Sequence, residues 1–134
     1  MNYLYLYLIA LPILAILDAI WIGGVAHSYY KSQLGDLLSS DVIWSAAVAF
    51  YVLYTAGLVY FVIAPGVESR SLMTVVLTAF FFGLVAYGTY DLTNLATTTG
   101  WPTLMSFVDM AWGAVAAAVT SALTYWVAVA LIGL

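Results

Sequence analysis

Apolar residues in this chain fall into four long runs, each closed by a short polar break. The runs cover 3–26, 42–64, 72–96 and 102–130. A helix needs about 20 apolar residues to cross a bilayer. Inside hydrocarbon only a helix or a closed barrel satisfies every backbone N–H and C=O. The pattern therefore predicts an all-α fold: a polytopic membrane protein of four transmembrane helices in a bundle, forming one domain over 1–134. The breaks carry their own signals. Ser40 or Asp41 is predicted to cap the second span. Pro65-Gly66 is predicted to end it, with Glu68-Ser69-Arg70-Ser71 as the following turn. Thr97 to Gly100 make the next turn, and Trp101-Pro102 puts proline in the first turn of the fourth helix. Between the first two spans, Tyr29, Tyr30, Leu34, Leu37 and Leu38 stand among polar neighbours. They predict a short interfacial helix broken at Gly35. Run to Leu134, the fourth helix would be roughly 50 Å long and must tilt or protrude. Gly113, Ala117 and Ser121 on the fourth span, and Ala79 and Gly83 on the third, have the small-residue spacing that permits close helix packing.

Composition sharpens this picture. Hydrophobic residues make up 66% of the 134-residue chain and charged residues 6%, far from a soluble domain. The absence of cysteine excludes disulfides and thiolate chemistry, and the single histidine excludes bis-histidine haem within one chain. Six acids face only Lys31 and Arg70, a net charge of −4, so no basic patch exists for nucleic acid. The expected partner is the lipid bilayer, with a second copy of the chain or a larger membrane complex as further candidates. No cofactor or metal is assigned. Asp18 interrupts the first run and no basic residue precedes it, so the segment reads as a retained span rather than a signal peptide. Lys31 lies on one side, Arg70 and the N-terminal amine on the other. That balance leans towards both termini in the cytoplasm.

The chemistry lies in acids placed where acids are expensive. Asp18, Asp91 and Asp109 sit within apolar runs, and a charge at membrane depth calls for a partner, a water-filled cavity or a function. Alternating helix direction puts all three about 8–12 Å from helix ends that face one side, at 1.5 Å per residue. Asp18 and Trp21, Asp91 and Asn94, and Asp109 and Trp112 are each spaced i, i+3, hence on one helix face. The candidate binding residues are thus Asp18, Trp21, Tyr90, Asp91, Asn94, Asp109 and Trp112. Asp41 to Ala46 also resembles Asp109 to Ala114, which hints at a duplicated two-helix unit. His27, Tyr29, Tyr30 and Trp101 read as interfacial residues, and Trp126 as lipid-facing or packing.

Three carboxylates in a low-dielectric site cannot all be ionised without a counter-charge, so a proton or a cation must occupy some of them. Lys31 and Arg70 lie too near the loops to serve. One reading is therefore a protein that binds or transports a proton, a cation or a small cationic molecule, with tryptophan faces available to an organic cation. A second is a lipid-modifying enzyme using Asp91 or Asp109 as acid or base, for which the sequence offers no catalytic motif. A third is a non-catalytic subunit of a larger complex, its acids joining helices through hydrogen bonds from Trp indoles, Thr hydroxyls or Asn94.

Several motifs together resemble one family: Leu17-Asp18-Ala19-Ile20-Trp21-Ile22-Gly23, Tyr90-Asp91-Leu92-Thr93-Asn94-Leu95-Ala96, Gly100-Trp101-Pro102 and Val108-Asp109-Met110-Ala111-Trp112-Gly113. Gln33-Leu34-Gly35 fits as well. The family is a group of small bacterial membrane proteins catalogued as a domain of unknown function, number twenty-one seventy-seven. The resemblance implies a four-span protein of the bacterial cytoplasmic (inner) membrane and assigns no activity, substrate or site.

Overall fold

The structure, a computed structural model, describes residues 2–134. It is all-helical, with no strand among the described residues. Four helices are long and apolar enough to cross a membrane: α1 (Tyr3–Val25), α3 (Trp44–Ser69), α4 (Leu72–Thr97) and α5 (Thr103–Ile132). A short helix, α2 (His27–Leu34), joins α1 to α3. The long helices alternate in direction, so both chain ends lie at one end of the bundle and α2 at the other.

Two helix boundaries differ from the sequence expectation. α3 begins at Trp44, and no side chain caps it. Ser39, rather than Ser40 or Asp41, does the local bonding: its hydroxyl donates to the Asp41 carbonyl and accepts the Asp41 N–H. That turn is complete before the helix starts. At its other end α3 runs on through Pro65-Gly66. Proline has no N–H to offer the carbonyl four residues back, and the five residues before Ala64 are wound as a π-helix, Val59–Ile63. Such a bulge re-registers the hydrogen-bond ladder and lets the helix continue. It stops at Arg70, which adopts a left-handed φ of 57°. The Arg70 N–H bonds the Val67 carbonyl and the Ser71 N–H bonds that of Gly66, the paired closure of a Schellman turn. Ser71 then caps α4 by accepting the Thr74 N–H at 3.1 Å.

Helix contacts rest on small residues, as the spacing predicts. Gly113, Ala117 and Ser121 are all buried, as are Ala79 and Gly83 opposite. A Cβ on Gly83 would lie 2.3 Å from the Gly113 carbonyl oxygen, and one on Gly113 would lie 2.2 Å from the Tyr87 ring. Gly66 packs against Val75 just as closely. The main core gathers Leu6, Ala10, Leu14, Leu58, Ile63 and Val75 in the middle of the bundle and at the end that carries both chain termini. Between Gly35 and Leu53 no residue is buried. The bundle is closed at one end and loose at the other, and the aspartates sit towards the loose end.

Candidate functional site

α1 and α5 meet through two tryptophans. Trp21 and Trp112 stack with ring centroids 4.5 Å apart and planes 5° from parallel. The i, i+3 spacing places each indole beside the aspartate of its own helix, facing the neighbour. Each one therefore serves the carboxylate across the interface. Trp112 Nε1 donates to Asp18 Oδ1 at 2.9 Å. Trp21 Nε1 donates to the Tyr30 hydroxyl at 2.8 Å, and that hydroxyl donates to Asp109 Oδ1 at 2.9 Å. The second oxygen of Asp18 accepts the Tyr51 hydroxyl at 2.6 Å. Asp18, only 4% exposed, thus has a donor on each oxygen.

Tyr30 corrects an expectation. It is not an interfacial belt residue: α2 folds over the end of the bundle and buries it beside Ala26 and Met105. Burial pushes its phenol well above the ordinary value; the Trp21 N–H works against that rise and the Asp109 carboxylate adds to it. Tyr30 therefore stays a donor at neutral pH. The sequence does not single out Tyr51 either, although a depth argument reaches it: it lies as far into α3 from its start as Asp18 lies from the end of α1. Tyr30 has no such signal, because its place depends on how a short connection folds back.

Asp91 stands in the opposite condition. It is fully buried, and among the described residues no N–H or O–H group donates to either of its oxygens. The charged group that bears on it is the Asp109 carboxyl. The neighbours expected to help do not. Thr93 bonds back to the Thr89 carbonyl. Asn94 Oδ1 accepts from the Thr98 hydroxyl at 3.3 Å. Both satisfy their own helix, the local competition these short side chains favour. The three carboxylates therefore divide: Asp18 is bonded into the helix interface, while Asp91 and Asp109 form a pair. Among the described residues no three His, Asp or Glu side chains are arranged to hold a metal.

A cleft reaches Asp18 and Asp109 but not Asp91. One hollow of about 380 Å³ is lined by Asp18, Asp109, Ile22, Phe50, Tyr87 and Ala86, among others. A second, of about 300 Å³, shares Asp18, Ile22, Tyr87, Tyr90 and Asp109 and extends to Tyr30 and His27 under α2. Neither is lined by lysine or arginine. Tyr90 borders both and rests edge-on against Trp101, with centroids 5.5 Å apart. His27 is exposed at the rim, which adds a cleft contact to its interfacial assignment. Trp44, the counterpart of Trp112 in the suggested duplication, is 71% exposed and outside the site. The two tryptophans of the six-residue match therefore sit in different surroundings.

A family model described as "Predicted membrane protein (DUF2177)" matches residues 3–126. No curated protein and no solved structure matches the chain.

Proposed function

The chain belongs to this family of predicted membrane proteins, and from that premise we propose that it binds a proton, or a cation in its place, at Asp91 and Asp109. The observation that carries the reading is Asp91: buried, unpartnered on both oxygens and facing a second carboxyl. A bare aspartate at a helix centre in the membrane costs on the order of 3 kcal/mol even on the lenient insertion scale. A second carboxylate beside it raises that cost, because repulsion strengthens as the effective dielectric constant falls. A proton shared between the two groups removes one charge and supplies the missing donor. A cation arriving through the cleft does the same work, so the two compete. Asp109 links the pair to the cleft, since it lines both hollows. Asp18 plays a different part. With both oxygens occupied, it holds Tyr51 and Trp112 in place. Exchange of a proton for a cation at such a pair is the elementary step of a coupled transporter.

Infrared difference spectroscopy on the chain in lipid vesicles tests this. At neutral pH a protonated-carboxyl C=O band is expected, and Asp91→Asn should remove it. Absence of the band in the wild type, with no change on adding cations, would end the proposal.

A further inference from the structure

We propose that the cation taken by this cleft is a lipophilic organic monocation, admitted sideways from the bilayer between α1 and α3. The inference rests on the cation reading above and adds a substrate class and a route.

The walls select the class. Besides Asp109, and Asp18 with its donor Tyr51, the cleft presents Ile22, Phe50, Ala86, Tyr87 and Tyr90. An inorganic cation such as calcium takes six or more oxygen ligands, and these walls do not supply such a shell. They do offer aromatic faces, which attract a large, weakly hydrated cation. The aromatic residues that line the hollow are Phe50, Tyr51, Tyr87 and Tyr90, whereas Trp21 and Trp112 are stacked on each other. Of the two carboxylates that line the cleft, Asp18 accepts a donor on each oxygen, while Asp109 has one oxygen committed to Tyr30 and one left to face a single positive charge. The volume, about 380 Å³, lies within the range of small-molecule pockets, roughly 300–1,000 Å³.

The route follows from the loose end of the bundle. Ile22 and Phe50, on the two sides of the cleft, are 46% and 43% exposed. Both lie near the level of Asp18, since Phe50 is next to Tyr51, the Asp18 donor. No residue of α3 before Tyr54 is buried; side-chain hydrogen bonds from the Tyr51 hydroxyl to Asp18 and from the Tyr7 hydroxyl to the Val52 carbonyl tie this wall to α1, and these would have to part or flex for entry. An opening at that depth meets lipid.

The test uses the full chain in detergent, with binding of tetraphenylphosphonium, choline and sodium measured by equilibrium dialysis. Tetraphenylphosphonium should bind at one per chain, and choline about tenfold or more weaker, the scale set by lost aromatic contact. Asp109→Asn should weaken tetraphenylphosphonium by at least a similar factor, and Ala86→Phe, which fills the cleft, should abolish its binding. Melting curves establish that the variants fold. Should Ala86→Phe fail to fold, Phe50→Ala takes its place, with a several-fold loss expected. Equal binding of choline or sodium, or tetraphenylphosphonium binding that ignores Asp109→Asn and the cleft variant, would overturn the inference. A protonated-carboxyl band without tetraphenylphosphonium binding removes this inference and leaves the proton reading standing. Site-dependent binding without the band does the reverse.

Discussion

Asp18 and Asp91 are the same residue type at similar depth, and their surroundings predict opposite responses to mutation. Asp18 receives hydrogen bonds from Tyr51 and Trp112. Asp18→Ala would strand a half-buried hydroxyl and a half-buried indole N–H, each costing about 1–3 kcal/mol where water does not reach it. Unfolding in mixed micelles should therefore show a loss of about 3 kcal/mol or more. Asp91 receives nothing, and an amide in its place can donate to Asp109 while removing a charge. Asp91→Asn should stay within about 1 kcal/mol of wild type, the scale of one net hydrogen bond. A loss as large as that of Asp18→Ala would mean that Asp91 is an ionised structural bridge with donors of its own. This contrast is not legible in the sequence. Aspartates in apolar runs identify themselves by their cost, and the tryptophans three residues on share their helix face. Tyr30 and Tyr51, which donate to Asp109 and Asp18, are two of eleven tyrosines in the chain. A tyrosine in an apolar run costs little, so nothing marks these two.

Among the helices, the spans could be read because bilayer thickness fixes their length, and the small-residue faces because close approach demands them. Helix ends were harder. Pro65-Gly66 is a stop signal that the π-wound turn before it overrides, and Gly66 owes its place to packing against Val75. The α4–α5 contact makes a sharper prediction. A Cβ on Gly83 meets the Gly113 carbonyl oxygen at 2.3 Å and Ala117 Cβ at 2.8 Å. These are a backbone atom and a first side-chain carbon, which can move only if the helices separate. Overpacking of this kind costs about 1–3 kcal/mol, so Gly83→Ala should lower the melting temperature clearly. Gly24, also helical, has nothing within 4 Å of its Cβ position. Gly24→Ala should be neutral or mildly stabilising, since alanine is the better helix former. Equal effects at the two sites would mean that α4 and α5 are not in close contact.

For the molecule as a whole, the unequal ends of the bundle matter more than any one helix. The cleft could not be read from the sequence, because it depends on how α3 lies against its neighbours. Hydropathy does not report that: both halves of α3 are apolar, yet Tyr54, Thr55, Leu58, Val59, Val62, Ile63, Ala64, Gly66 and Val67 are buried, while nothing in Trp44–Leu53 is. Local opening is easiest where few contacts hold an element, so motion should concentrate in 44–53 and stop near the tightly packed π-wound segment Val59–Ile63. Hydrogen exchange of the detergent-solubilised chain, read by mass spectrometry, tests this within a single helix. Amides of 44–53 should exchange well before those of 54–69, because the adjoining cleft admits water and little packing resists the opening. If an organic cation enters between α1 and α3, saturating tetraphenylphosphonium should slow exchange in 44–53 and leave 54–69 unchanged, since a ligand protects only the openings it closes. An even profile along α3 would mean that the helix moves as one rigid rod, and a lateral entrance at its loose half would then have no mechanical basis.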